Sequence, residues 1–259
     1  MTRGSQHTGF TGSPLVRLLA RLTEVDVSEA KPAFAERLSQ WLGWADAISL
    51  SAALNAPAAA AAARPASKAD ASTDEGEFAR LRSALVNAVI NDSPLALGQR
   101  RAGRRAPVQD TTPMEPAADF PPYRSRYFAK QQAMELAIAP LRARLRATLA
   151  SRSPAMAQLA AVDAVMEQVL GEQERSLLST VPVLLEKRFE SLRQAALATV
   201  APNGPDEAEP TPAGPAAKAP WLEEFGQDMQ HVLLVELDLR LQPIEGLLEA
   251  LRATPRTKA

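Results

Sequence analysis

Apolar residues at helical spacing across residues 121–200 constrain the fold of this chain more than any other feature. The positions form two runs, and within each run they recur every three or four residues. The first run is Met134, Ile138, Leu141 and Leu145, and the second is Leu159, Val162, Met166 and Val169. Such spacing is typical of α-helices with one apolar face. Strong helix formers such as Ala, Gln, Glu and Arg fill the intervening positions, so each helix has to bury its stripe against another helix. The sequence therefore predicts an all-α fold, built as a bundle of long antiparallel helices.

The composition agrees with packed helices and also indicates linkers. The apolar fraction is 46%, but aromatics make up only 5%, so Ala, Leu and Val carry most of it. Sheets favour β-branched and aromatic residues, whereas helical bundles accept a core of this kind. The chain has 21 Pro against 12 Gly, and many of the prolines fall in three stretches. We expect these Pro-rich stretches to be disordered linkers between helices.

Stripes, prolines and composition divide the chain into four helical parts. We predict an N-terminal helical hairpin over residues 13–55, a single helix over 75–92, a central helical bundle over 121–200, and a C-terminal helix over 221–252 that completes the bundle. The predicted linkers are Ala/Pro-rich at 56–74, basic and Pro-rich at 93–120, and acidic and Pro-rich at 201–220. Within the central part, Pro182 removes a backbone donor and disfavours helical geometry at Val181, which predicts a kink or a break there.

Two apolar stripes define the predicted hairpin. Ser13 and Pro14 open its first helix as a cap and a first helical residue. The second helix begins near residue 32, and its stripe is Phe34, Leu38, Trp41, Ala45, Ile48 and Ala52. We expect Trp41 to lie in the core and Trp44 at the rim, where amphipathic aromatics often mark a partner surface. The alternative for residues 13–25 is a helix that lies on a membrane surface, but the buried hairpin is favoured because a second apolar face follows so closely.

The C-terminal helix echoes the first helix of the central bundle around an internal proline. Its predicted apolar stripe is Met229, Leu233, Leu237, Leu241, Ile244, Leu248 and Leu251. Aligning Pro140 with Pro243 also pairs Ile138 with Leu241. A duplication would place two long bent helices side by side, and a chance match between Leu/Ala-rich helices is the alternative. Residues 100–152 carry eleven basic side chains against four acidic, whereas residues 203–259 carry ten acidic against five basic. The two regions could attract each other or separate partners.

Several classes of functional site are missing from the sequence. Without cysteine, the chain has no disulfide, thiolate nucleophile or Cys-ligated metal. It also lacks the glycine-rich loops that bind nucleotide phosphates and the GxSxG turn of serine hydrolases. No apolar run approaches the length of a membrane span, and a net charge of −1 argues against a surface built wholly for nucleic acid. We therefore expect no catalytic residue and no cofactor, a protein that is not an enzyme, and a cytoplasmic location.

One face of the C-terminal helix is a weak candidate for a metal site. Glu224, Asp228 and His231 are spaced so that they share this face. An acid-x-x-His pair on a bundle helix is half of a di-iron carboxylate site, which needs a second such pair. The position three residues after Glu135 is Ile138, so the second half-site is missing. We therefore expect no bound metal, and a partly exposed histidine beside surface carboxylates.

The basic run QRRAGRR at residues 99–105 is the candidate for binding phosphate groups of nucleic acid or lipid. Its cations are Arg100, Arg101, Arg104 and Arg105. Aromatics that could stack on bases follow about twenty residues later, and these are Tyr123, Tyr127 and Phe128. Because flexible basic loops are often solvated spacers, a spacer is the favoured interpretation.

Six segments carry a resemblance that spans nearly the whole chain except the linkers. They are SPLVRLLARLTEVD, FAERLSQWLGWADAISLSAAL, QQAMELAIAPLRARLR, LAAVDAVMEQVL, STVPVLLEKRFESL and DMQHVLLVELDLRLQPIEGLLEAL. Together they resemble an uncharacterised family of proteobacterial proteins known as a domain of unknown function. The resemblance implies no activity, cofactor or catalytic residue. It does imply a genomic setting near envelope proteins with motor-like or peptidoglycan-binding domains.

The expected function follows from the fact that every informative feature is a packing surface. The leading hypothesis is a non-enzymatic helical scaffold or adapter, which acts through helix–helix or coiled-coil contacts with a protein partner or with its own copies. One alternative is a cytoplasmic accessory that associates peripherally with a bacterial envelope complex. The other is a nucleic-acid-binding or regulatory protein that uses the basic loop at residues 99–105.

Overall fold

The structure is a computed structural model that describes residues 13–23, 41–55, 68–91, 119–200 and 220–253. Seven α-helices lie within these ranges: α1 (Pro14–Thr23), α2 (Trp44–Asn55), α3 (Lys68–Ile90), α4 (Pro121–Ala150), α5 (Pro154–Leu178), α6 (Val181–Val200) and α7 (Pro220–Ala253). This described part of the chain contains no strand. The prediction of an all-α bundle is therefore confirmed.

Helices α4 and α7 form the centre of the bundle and pack against each other. The predicted stripe of α4 is buried at every position from Met134 to Leu145. The predicted stripe of α7 is also buried throughout, at Met229, Leu233, Leu237, Leu241, Ile244, Leu248 and Leu251. Each such side chain contributes roughly 1.5–3 kcal/mol when it leaves water, so this contact is a main source of stability. The two helices lie side by side, as a duplication would require, although the duplication itself remains a prediction.

Local sequence signals set the boundaries between α4, α5 and α6. Ser153 lies between α4 and α5, and its side chain accepts a hydrogen bond from the Met156 backbone N–H at 3.3 Å. Pro154 then occupies the first helical position, where its missing N–H costs nothing. Helix α5 ends at Leu178, two turn residues follow, and α6 begins at Val181. The predicted break beside Pro182 is confirmed.

The remaining helices surround the central pair. Helix α3 packs on α4 and α7, α6 packs on α7, and α1 packs on α6 and α7. Helix α5 packs on α4, and α2 packs on the outer side of α5. An aromatic cluster joins the first turns of α4 and α7 to α6, and its members are Phe120, Tyr123, Phe189, Trp221 and Phe225. The rings of Phe189 and Phe225 lie 5.0 Å apart at an interplanar angle of 85°, the edge-to-face geometry that aromatic pairs prefer.

The N-terminal part differs from the predicted hairpin over residues 13–55. The Leu15, Leu18 and Leu19 side chains of α1 are buried against α6 and α7, whereas α2 packs on α5. In the described residues the two helices therefore pack on different neighbours instead of on each other. The reason is that the larger apolar surfaces of α5, α6 and α7 cover them separately. The predicted helical positions Phe34 and Leu38 lie outside the described residues.

The second predicted helix is interrupted, and the face that it buries is not the predicted one. Leu42 and Gly43 are not helical, and the Gly43 backbone N–H donates to Asp46 Oδ2 at 3.1 Å, which starts α2 at Trp44. The predicted stripe positions Ala45, Ile48 and Ala52 are exposed. The buried face is instead the opposite one, which contains Ala53.

Two further predictions are corrected by tertiary contacts. The helix expected at 75–92 begins at Lys68, so it replaces the last part of the predicted linker 56–74. Asp74 is buried there and pairs with Arg144 of α4 at 3.3 Å, which stabilises the added turns. The predicted stripe of α5 is only partly buried, since Val169 is in the core but Leu159 is exposed. Helix α5 lies at the edge of the bundle and has fewer neighbours to cover it.

Candidate functional site

A buried polar network lies where α4, α5 and α7 meet. Glu236 of α7 is fully buried, and its carboxylate accepts a hydrogen bond from Tyr127 Oη at 2.5 Å. Gln131 Nε2 lies 3.0 Å from each oxygen of the same carboxylate and also donates to the Leu178 carbonyl at 3.2 Å. Arg240 Nε donates to Glu236 Oε1 at 2.9 Å. Two neutral side chains and one counter-ion therefore satisfy a carboxylate that would otherwise be very costly to bury.

Helical spacing explains how the chain builds this network. Tyr127 and Gln131 are four residues apart on α4, and Glu236 and Arg240 are four apart on α7, so each pair shares one face of its helix. Burial, and then the negative charge and hydrogen bond of Glu236, raise the pKa of Tyr127 well above its ordinary value. The phenol therefore stays protonated and acts as a donor.

The sequence prediction missed this network, although one signal was present. Gln131 occupies the position before Met134 in the repeating four-and-three pattern of α4, where an apolar residue is expected. A polar side chain on a buried stripe needs a partner from another helix. Glu236 carried a similar signal, because it lies three residues after Leu233 and seven after Met229, beside the apolar stripe of α7.

Beside the network lies a cleft of about 450 Å³ between α4, α5 and α7. Its walls combine apolar and charged side chains, among them Ile138, Arg142, Glu174, Arg240 and Pro243. The charged groups form ion pairs across the cleft walls. Arg142 pairs with Asp163 at 2.7 Å, and Arg240 lies 3.7 Å from Glu174. These pairs connect α5 to both central helices.

Arg142, Arg144 and Arg146 in the C-terminal half of α4 pair with α5 and α3, although the sequence also allowed attraction to the acidic C-terminal region. Arg146 Nη2 lies 2.6 Å from Glu167 of α5, and Arg144 pairs with Asp74 and Glu77 of α3. The contact between α4 and α7 is instead mainly apolar, through their stripes. Charge therefore attaches the outer helices to the central pair.

Burial raises the pKa of Glu174 above the ordinary value of a glutamic acid. The cations of Arg240 and Arg142 oppose this effect, whereas the carboxylates of Glu236 and Glu135 add to it. The groups of the cleft are thus engaged with one another. This arrangement holds helices in place, and we find in it no separate nucleophile and base.

The residues named as weak metal candidates form an ion-pair site instead. Arg188 of α6 donates to Glu224 Oε1 at 2.6 Å and to Asp228 Oδ2 at 2.8 Å, while His231 is exposed. Both carboxylates are therefore directed at a guanidinium that joins α6 to α7. Among the described residues, no group of three or more His, Asp or Glu side chains is arranged to hold a metal ion.

The aromatics proposed to stack on bases are mostly in the core. Tyr123 and Tyr127 are buried, and only Phe128 reaches the surface, where it lies under the guanidinium of Arg124 at 5.8 Å. Two of the three stacking candidates are therefore inaccessible. The four cations of the basic run, Arg100, Arg101, Arg104 and Arg105, lie outside the described residues.

Trp44 is the predicted partner-binding residue that the structure places at the surface. Its side chain is 84% exposed at the start of α2, and Ile48, one turn further, is 54% exposed. These side chains and four neighbours form what we call the outward face of α2, defined as Trp44, Ala45, Ile48, Ser51, Ala52 and Asn55. Every member is exposed.

The fold and these sites define a class of protein: an all-α bundle held by an apolar central pair and a buried polar network, with one apolar helix face turned outward. None of the helices in the described ranges combines the length and the apolar character needed to traverse a lipid bilayer. Residues 1–253 match the family described as "Protein of unknown function (DUF3348)", and the chain belongs to this family. No curated protein and no solved structure matches the chain.

Proposed function

We propose that this protein is a non-enzymatic helical scaffold or adapter, and that the outward face of α2 is its contact surface. The observation that carries the proposal is the exposure of Trp44 together with Ile48 on a helix whose other side is already packed on α5. Tryptophan is among the residues that most often dominate protein interfaces. An exposed, contiguous apolar face of this kind is typical of an interaction site.

The energy available at this face is large for so small a surface. A tryptophan buries roughly 150–250 Å² at a contact, and Trp44 has 84% of its surface free. At about 25 cal/mol per Å², covering about 200 Å² contributes roughly 5 kcal/mol before the cost of association. Covering the outward face of α2 with another apolar surface therefore lowers the free energy of the protein.

The spacing of the face supports a helix as the binding element. Trp44, Ile48 and Ala52 follow each other at four-residue intervals, so they form one ridge along α2. Ridges of this kind pack into the grooves of a second helix, as in coiled coils and helix-in-groove complexes. The internally paired charges of the cleft between α4, α5 and α7 support a structural role for the rest of the bundle.

The test is co-purification from the native host with a tagged full-length chain. We expect the wild type to recover a partner protein, or a second copy carrying a different tag, and the double variant Trp44→Ser/Ile48→Ser to lose it. Leu136→Ser/Leu197→Ser is the matched control, since these leucines of α4 and α6 are similarly exposed but lie on other helices. Circular dichroism should show the same helical content for all three proteins. Equal recovery by both double variants would contradict the proposal, as would a wild type that recovers nothing.

A further inference from the structure

The outward face of α2 has properties that narrow the choice of its partner. It carries no charged side chain, because the acid of this helix, Asp46, points to the other side and accepts a hydrogen bond from Gly43. A face without charge cannot repel a copy of itself. It also offers nothing for a strongly basic or acidic partner to recognise.

Two polar side chains at the C-terminal end of the face are bonded to each other within the helix. Asn55 Nδ2 donates to the Ser51 carbonyl at 2.9 Å and lies 3.2 Å from Ser51 Oγ. Groups bonded in this way can be covered at lower cost than groups that depend on water. This end of the face therefore does not oppose a helix–helix contact.

Helix α2 is apolar around most of its circumference. At about 100° per residue, Ala53 lies about 140° from Ile48, and Ala53 is buried on α5. A helix with two apolar sides is normally covered on both. The described residues place α5 on one side of α2 and leave the other open.

The sizes of the side chains make the outward face complementary to itself. Trp44 lies four positions before Ile48, and the small Ala52 lies four positions after it. In an antiparallel pair with Ile48 on the two-fold axis, Trp44 of each copy faces Ala52 of the other. The largest side chain then meets one of the smallest, while the two Ile48 side chains meet at the centre.

We propose that the outward face of α2 pairs with the same face of a second copy of this chain, antiparallel and centred on Ile48. This inference rests on the proposed function, because it names the occupant of the same surface. An interface of one short helix from each copy buries on the order of 1,000 Å², near the lower limit for specific complexes. The dimer should therefore dissociate on dilution.

The natural absence of cysteine allows a direct test with single thiols in the full-length chain. Across the proposed axis, Ile48→Cys should form an intermolecular disulfide under mild oxidation. Two Ala52→Cys residues would lie about 12 Å apart along the helices, beyond the roughly 7 Å that a disulfide spans, and should not cross-link. The double variant Trp44→Cys/Ala52→Cys lacks the Trp44 side chain and should pair more weakly, so it is oxidised at a correspondingly higher protein concentration, where it should cross-link again. Leu197→Cys, which is exposed on α6, is the control that should stay reduced.

Sedimentation velocity on the purified wild type supplies the second measurement. We expect a monomer–dimer equilibrium that shifts with concentration, and Trp44→Ser should raise its Kd on the order of a hundredfold because each copy loses its largest contact side chain. A wild-type protein that stays monomeric at every concentration would overturn the inference. This holds whether the thiol of the Ile48→Cys variant reacts freely or is shielded by residues 24–40 of the same chain. Cross-linking of Ala52→Cys would overturn it too, since it indicates a parallel pair or another register.

The two experiments separate the inference from the proposed function. Suppose that the purified protein is a monomer, but that the wild type recovers a different protein from the host and Trp44→Ser/Ile48→Ser does not. The outward face of α2 is then a contact surface, and the inference that its partner is a second copy is wrong. If the purified protein is a monomer and nothing is recovered from the host, both are wrong.

Discussion

Replacing Arg240 by methionine should destabilise the protein strongly. Arg240 supplies the counter-charge to Glu236, at 2.9 Å, and its own side chain is only 9% exposed. Methionine keeps the aliphatic length but removes the cation. Glu236 would keep the hydrogen bonds from Tyr127 and Gln131 yet lose its ion partner.

The magnitude follows from the loss of the counter-ion. Breaking a buried ion pair by removing one partner costs about 3–5 kcal/mol, because the remaining charge is left uncompensated in the core. Glu236 is fully buried, so water cannot take the place of the guanidinium without opening the contact between α4 and α7. We therefore expect a loss of about 3–5 kcal/mol in the free energy of unfolding.

Urea unfolding followed by circular dichroism measures this loss. Arg82→Met is the control, because Arg82 makes a similar 2.9 Å contact to Asp238 of α7 but both side chains are half exposed. An exposed pair contributes about 1 kcal/mol or less. The reasoning is refuted if Arg240→Met costs no more than Arg82→Met.

Two further predictions follow from the core. Removing residues 220–253 takes away half of the central pair, so the truncated chain should expose the α4 stripe and aggregate. A soluble product with an unchanged melting temperature in light-scattering and thermal scans would show that the remaining helices form the whole core. The two tyrosines, Tyr123 and Tyr127, both have a raised pKa because they are buried. Their phenolate absorbance near 295 nm should appear together with alkaline unfolding, and a reversible titration near the ordinary pKa in the folded protein would be inconsistent with their burial.

The periodic pattern was sufficient for the central helices and for their limits. In α4 and α7 every predicted stripe residue is buried, because these helices have partners on several sides and one dominant apolar face. Prolines and a capping serine also gave reliable boundaries, as at Ser13 and Pro182. These signals act within a few residues, so they do not depend on the rest of the fold.

Helix α2 shows where the pattern fails. Its residues are apolar on two sides, so spacing alone could not tell which side meets the bundle. Helix α5 determines the choice, because it covers the face of Ala53 and its Gln158 side chain donates a hydrogen bond to the Leu54 carbonyl of α2. Trp44 was nevertheless predicted at the rim, because it is not one of the stripe positions of the longer predicted helix.

The partners in the buried network could not be predicted either, because they lie on different helices and their pairing depends on how these helices pack. The network also suggests what polar groups add to this bundle. Contacts among Leu and Ala side chains are nearly as favourable after a helix slides by one turn, so they define position weakly. The bonds from Gln131 to the Leu178 carbonyl and to Glu236 are directional, and each exists in one register only. Because α2 rests on α5, the network that fixes α5 also fixes where the outward face of α2 points. We therefore expect the polar network to determine the geometry of the contact surface, while the apolar stripes supply most of the stability.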